Sequence, residues 1–283
     1  METKLLFIHA LSPLQAGTGQ GVGVIDQPIA REKATNIPYL PGSSIKGVIR
    51  DASKSPKKSL IYGPAPDENI DHQGSAVFSD ARLLFLPVRS ISGVFAWVTS
   101  PYLLNRFVRD AKGMAFTEPL PAIIPEVAEE SCFVCHQISA LLVNAQVILE
   151  DLPLSCQDSA ELKVWAEWFQ ETLFEKDSYW YKTLIDRLCL VSDDVMGYLT
   201  EIGSQVTARI RLEEGKKKVA KGALWYEEAL PPETILSALV VANGLKATPD
   251  EVYADVRTII ESPLQVGGSA TVGLGLCRVI LAP

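Results

Sequence analysis

The sequence predicts an α+β fold. Three observations carry that prediction: a strand–helix–strand–strand–helix order over residues 1–112, a further strand at the C-terminal end, and a long mixed stretch between them. That order belongs to a split βαβ, ferredoxin-like unit whose last strand arrives late in the chain.

Residues 4–14 alternate well enough for the first strand. Residues 15–42 are rich in Gly and Pro and read as a loop, which at that length is uncommon unless it is functional. A helix starts at Ser43 or Ser44, with Ile45, Val48, Ile49 and Ala52 on one stripe and Ser44 as its N-cap. Residues 53–74 are Lys-, Pro- and Asp-rich and read as flexible; 76–88 and 93–100 read as strands. Pro101 opens a helix to about Ala111 that buries Leu103, Leu104 and Phe107, and residues 271–281 supply the final strand. The expected organisation is one domain, with a core of about 1–112 and 265–283 and an insertion of about 113–264. In the insertion the pattern gives a strand at 138–149, a helix at 160–172, a basic hairpin at 206–224 turning near Gly215, and helices at 232–243 and 249–261.

Apolar residues are 47% and charged residues 21% of the 283, a globular balance that can bury a core without disulfides. Five scattered cysteines point to a reducing compartment. The first apolar run is short and lacks a small-x-small cleavage site, and no apolar stretch reaches bilayer length. These observations point to the cytoplasm and away from a membrane. The net charge of −8 conceals two basic islands. Residues 1–58 hold eight Lys/Arg against four acids, and residues 205–222 hold six against two, each a net of +4. Such islands suit local tracking of a phosphate backbone, or simply an unevenly charged surface.

GTGQGVG at residues 17–23 has G-x-G-x-G-x-G spacing and runs into more loop, so a dinucleotide fold is disfavoured. PGSSIKGVIR at 41–50 places small residues at a helix start, where backbone N–H groups and the helix dipole favour an anion. Ser43 and Ser44 sit at that start, and Lys46 and Arg50 share one helix face. An ordinary amphipathic helix fits the same pattern. VGGSATVGLG at 266–275 has the spacing of a phosphate loop, but Leu274 stands where Lys is required. Its Gly267, Gly268, Ser269, Gly273 and Gly275 can bring backbone close to an RNA phosphate or sugar, or form a bulged strand entry. Asp26, in the glycine-rich loop beside the cationic helix, is a candidate metal ligand or proton acceptor, or else a solvated turn residue.

The CFVCH run at 132–136 matches C-x-x-C-H, but without export, and with Cys156 and Cys189 distant in sequence, buried or free thiols are favoured over haem or zinc. The hairpin carries Lys216, Lys217 and Lys218 and leads to Trp225, Tyr226, Glu227 and Glu228, a set that suits base stacking beside cations or an ordinary sheet edge.

Taken together these segments resemble the RAMP superfamily of CRISPR proteins. The block at 28–50, PIAREKATNIPYLPGSSIKGVIR, is the most distinctive match, and residues 267–275 look like that family's glycine-rich loop. Residues 209–232, with GALWYEEALPP at 222–232, are similar to the fourth, backbone subunits of type III-B (Cmr) complexes in particular. The resemblance implies a modified RRM-like palm with an inserted thumb, for which residues 206–228 are the candidate. It implies copies stacked along a guide RNA, contacts with other Cmr subunits, and cleavage of a complementary target RNA at regular intervals. It assigns guide-backbone contact to Ser43, Ser44, Lys46 and the glycine-rich loop, to which Arg50 is added from its shared face with Lys46. Asp26 matches the family's loop aspartate, which implies a metal-dependent endoribonuclease using Mg or Mn without a tightly held ion. Glu227 or Glu228, and Tyr226, are weaker candidates for support, and His9 is a conceivable acid or base, although a lone His on a strand is more often packed or exposed without a role. The alternatives are a non-catalytic RNA-binding backbone, a guide-RNA processing ribonuclease of the same superfamily, and a nucleotide-dependent metabolic enzyme.

Overall fold

A computed structural model describes residues 1–17, 24–64, 72–114, 116, 119–213, 215 and 218–282. The first part of the chain runs β1 (Glu2–Ala10), β2 (Tyr39–Leu40), α1 (Gly42–Ala52), α2 (Lys58–Tyr62), β3 (Ala76–Phe78), β4 (Ala81–Arg89), β5 (Phe95–Thr99) and α3 (Pro101–Ala111). Then come β6 (Ser131–Val134), β7 (Gln146–Leu149), β8 (Leu152–Asp158), α4 (Ala160–Leu173), α5 (Tyr179–Arg187), β9 (Leu188–Val191) and α6 (Asp193–Ile202). The last part holds β10 (Gln205–Leu212), β11 (Val219–Ala229), β12 (Ile235–Ala242), α7 (Pro249–Ile260), β13 (Leu264–Gln265), a 3-10 turn (Ala270–Val272) and β14 (Leu276–Leu281).

The palm sheet has the order β14–β1–β12–β4. Each neighbouring pair is antiparallel, with Leu5 opposite Leu239 and Phe7 opposite Ile280. The connections β1–α1–β4 and β12–α7–β14 are therefore two interleaved split βαβ units, which is the ferredoxin-like palm. Both faces of β1 are buried, and this explains its unbroken apolar run. Leu6, Ile8 and Ala10 join α1, α2 and α7 through Ile45, Ile49, Tyr62 and Val252. Leu5 and Phe7 face α3 and α4 through Phe107, Trp165 and Phe169. Burying Ile45 and Ile49 stabilises the docking of α1 by about 1.5–3 kcal/mol each. Beyond β4 the sheet continues through β5, β9, β6, β8 and β7.

Several sequence expectations are corrected. Residues 232–243, read as a helix, contain β12, the strand between β1 and β4. Leu236, Ala238, Val240 and Ala242 share one buried face, a period of two, and pairing on both edges overrides the helical reading. The inserted stretch expected over 113–264 thus includes a palm strand. The strand read at 138–149 shortens to β7, because Asn144 and Ala145 have φ of 50° and 62°, outside strand geometry. The strand read at 76–88 breaks at Ser79–Asp80 into β3 and β4. The stretch read as flexible at 53–74 contains α2, although 65–71 lie outside the described residues. The final strand begins at Leu276 rather than 271, after the 3-10 turn.

Candidate nucleic-acid interface

Helix α1 begins at an N-cap Pro41, not Ser44, with no side-chain cap. Gly42 is pressed against the β3–β4 break, where a Cβ would meet the Phe78 carbonyl oxygen at 2.5 Å. Its N–H donates to Asp80 Oδ1 at 2.8 Å. One helix-start donor expected to be open to an anion is therefore already satisfied by an internal carboxylate. Ser43 and Gly47 remain exposed on the first turns, with Ser44 half-buried.

Ser43, Ser44, Gly47 and Val48 form one wall of a groove of about 560 Å³. Gly267 and Gly268 form the facing wall, and Gln15, Gly17 and Gln27 lie between. Two of the sequence-predicted segments thus meet across one groove. The glycine-rich wall is a tight turn, with Ser269 left-handed (φ 57°) before the 3-10 turn. Gly267 has φ 83° and lies so close to the Gln15 carbonyl that a Cβ would overlap it; the Gly268 N–H donates to that same oxygen at 3.0 Å. Gly275 is similarly pressed on the Val266 carbonyl. Gly273 is exposed on the same turn. Lys46 lies outside this groove and lines a neighbouring one of about 270 Å³, which Ser43 also borders. Arg50 Nε reaches the Gly63 carbonyl at 3.4 Å.

Asp26 stands exposed where the β10–β11 hairpin leaves the palm. Its Oδ2 accepts the Tyr226 N–H at 2.7 Å. The Gln27 N–H donates to the Tyr226 carbonyl at 3.1 Å, and the Glu228 N–H donates to the Gln27 carbonyl at 3.0 Å. Glu228, 4% exposed, accepts from the Ile29 N–H (3.0 Å) and from Arg31 Nη2 (2.7 Å). Arg31 also donates to the Asn36 and Thr200 carbonyls, and Arg106 Nη1 donates to both Glu32 carboxylate oxygens at 2.7 and 2.8 Å. The segment that follows the glycine run is therefore stapled to β11, α3 and α6. Residues 18–23 of the glycine run lie outside the described residues. Burial works against the Glu228 charge, but the bonds from Arg31, Ser204 and Ile29 outweigh it and hold its carboxyl below the ordinary range.

Both Glu227 oxygens are engaged, one by Arg209 Nε (3.1 Å) and one by Trp225 Nε1 (2.9 Å). The structure therefore gives Glu227 the job of fixing two hairpin side chains. Across the hairpin, Ala208 pairs with Tyr226 and Ile210 with Leu224, so the apolar residues share one exposed face. Arg209, Trp225 and Glu227 occupy the other. Lys216 and Lys217 lie outside the described residues, while the Lys218 carbonyl accepts from the Glu213 N–H at 2.8 Å.

The donor set does not fit a resident divalent ion. Beside Asp26 the nearby carboxylates Glu227 and Glu228 have every oxygen committed, and no cluster of three His, Cys, Asp or Glu suited to a metal occurs among the described residues. His9 is packed, 2% exposed, with Nε2 2.5 Å from Glu233 and its ring against Phe174 and Trp180. Cys156 and Cys189, expected to be isolated, both touch Cys132, because β8 and β9 flank β6. Cys135 is buried, which pushes its thiol up to about 12, and His136 bonds Asp186 at 3.0 Å. Sequence reasoning missed Gln15, Gln27 and Arg31, loop residues that carry no periodic signal.

A profile of the RAMP superfamily matches residues 7–278. The CRISPR system Cmr endoribonuclease Cmr4 of Pyrococcus furiosus is 33% identical over 297 residues, covering 99% of this chain and 96% of that protein. The CRISPR system CMR subunit Cmr4 of Saccharolobus solfataricus is 27% identical over 302 residues, covering 98% and 95%. A crystal structure of oligomeric Cmr4 from Pyrococcus furiosus superimposes with a TM-score of 0.74 at 27% identity, covering 100% of this chain and 98% of that one.

Proposed function

The chain belongs to the RAMP superfamily, and from that premise we propose that it is a backbone subunit of a type III-B CRISPR effector complex that binds guide RNA and cleaves the complementary target RNA. The observation that carries this reading is the convergence of the α1 start and the glycine-rich loop on one groove, with Asp26 held beside it through Gln27. Partners are the guide RNA, the target RNA, further copies of this chain and other Cmr subunits. No helix is long and apolar enough to cross a membrane among the described residues, and we place the complex in the cytoplasm. The palm in this reading spans residues 1–89 and 235–282, with β10–β11 as the thumb.

Ser43 and Ser44 give the guide backbone neutral hydroxyl donors, Gly267 and Gly268 leave room for its close approach, and Lys46 adds a charge at the neighbouring groove. A chain with net charge −8 then gathers affinity from many repeated small sites along one RNA. In cleavage a target ribose 2′-oxygen attacks the adjacent phosphorus. The O2′–P bond forms, the P–O5′ bond breaks with water protonating the departing O5′, and the products are a 2′,3′-cyclic phosphate and a 5′-hydroxyl. Asp26 uses Oδ2 to hold the Tyr226 N–H, which leaves Oδ1 to take the 2′-proton. The thumb distorts the target strand so that attack is in line, a positioning effect. Glu227 acts indirectly by fixing Arg209 and Trp225. An assisting divalent ion would draw its ligands chiefly from RNA and water.

A target RNA carrying 2′-deoxyribose at one cut position tests this chemistry. The reassembled complex is expected to skip that position and cut the others, leaving cyclic phosphate ends. Cutting at the deoxy position would overturn it.

A further inference from the structure

The groove between α1 and the glycine-rich loop has a chemical character that its role in holding RNA does not require. Among the described residues lining it, none is charged and none is aromatic. A phosphate recognised by point charge would meet Lys or Arg, and a base held by stacking would meet an aromatic face. The groove offers neither. Its polar equipment is two serine hydroxyls, backbone N–H groups and the amides of Gln15 and Gln27.

Those two amides are fixed. Gln15 is 4% exposed, and its Nε2 donates to Gln27 Oε1 at 2.9 Å. Gln15 Oε1 lies next to Gly268; a Cβ there would approach it to 2.8 Å, and the amide would have to shift to admit it. The bond consumes one donor and one acceptor of the pair. Gln15 Oε1 and Gln27 Nε2 are left without a partner among the described residues. Exchanging N and O in both amides leaves the same result, one acceptor and one donor without a partner on the linked pair. A 2′-hydroxyl is the group on a nucleic acid that donates and accepts at one atom, and it distinguishes RNA from DNA.

We propose that the Gln15–Gln27 amide pair recognises a ribose 2′-hydroxyl in this groove, so that the groove itself selects RNA over DNA. The hydroxyl donates to Gln15 Oε1 and accepts from Gln27 Nε2. A deoxyribose in the same place leaves both amide groups facing a gap with no hydrogen-bond partner, a loss larger than that of a solvated bond. This inference rests on the reading of the groove as the guide-backbone site.

The test uses the full chain and a labelled single-stranded RNA spanning several copies, alongside all-2′-deoxy and all-2′-fluoro versions of the same sequence, at one salt concentration. The fluoro strand keeps RNA-like sugar pucker but cannot donate, which separates hydrogen bonding from helix shape. Wild type is expected to bind RNA at least roughly five- to tenfold more tightly than either analogue, as loss of one or two such bonds implies. Gln27→Leu is expected to weaken RNA to the level of the deoxy strand and leave the deoxy strand unchanged. Equal binding of RNA and fluoro strand by wild type overturns the proposal without needing any variant. An RNA preference that survives in Gln27→Leu also overturns it. Binding of all three strands with no preference leaves the nucleic-acid reading of the groove standing while refuting this inference. Binding of none refutes both.

Discussion

Glu228→Gln tests whether the Asp26 segment is held by the ion pair beneath it. The Glu228 side chain is 5% exposed and that of Arg31 is 18% exposed. Leaving a buried charge without its partner costs about 3–5 kcal/mol. Here the glutamine oxygen still accepts one bond, and Arg31 keeps two carbonyl partners. The expected loss is therefore smaller, about 1–3 kcal/mol in urea unfolding at pH 7. The sign of the pH dependence follows from the carboxyl being held below its ordinary 4.5. Its stabilisation is complete above that value and fades as pH falls through the lower folded value. The gap between wild type and variant is thus expected to narrow in acid. Because Ile29 and Arg31 also fix the chain beyond Asp26, target cutting is expected to fall more than guide binding. Unchanged urea stability at pH 7, or a gap that widens in acid, would refute the reasoning.

Gly267→Ala is expected to weaken guide binding and to destabilise by more than 1 kcal/mol in a thermal melt, roughly the strain of a left-handed non-glycine residue added to the overlap with Gln15. Lys46→Ala is expected to lower the salt slope of RNA binding by about one, whereas Ser43→Ala weakens binding without changing that slope, as titrations at several salt concentrations would show. The Cys135 thiol, raised to about 12 by burial, is expected to resist iodoacetamide at pH 8 in the folded protein and to react after denaturation; fast labelling in the native state, followed by mass spectrometry, contradicts its packing.

The fold was legible where a segment's pattern is local. The α1 stripe of Ile45, Val48 and Ile49, the Pro101 start of α3 and the hairpin turn near Gly215 all have signals within a few residues. β12 was not, because eight apolar and small residues after two prolines satisfy a helix as well as a strand until β1 and β4 pair with them. At the site, small residues at a helix start mark Ser43 and Ser44, which line the groove. Lys46, on the face it shares with Arg50, lines the next groove instead. The staple of Arg31 on Glu228 spans 197 positions, and the amide pair has no residue pattern of its own, so neither leaves a mark in the sequence. The contact of Cys132 with Cys156 and Cys189 was invisible for the same reason, since it depends on which strands flank β6.

The central claim is that Asp26, held on the Tyr226 N–H, performs the proton transfer in target cleavage. Single-turnover cutting of a bound target by complexes carrying Asp26→Asn tests it most directly. Asparagine can keep the Tyr226 bond through its carbonyl oxygen but loses the basic carboxylate, so guide and target binding are expected to stay within roughly twofold while cutting falls by at least about 100-fold. Cutting at the same spaced positions with an undiminished rate would contradict the account.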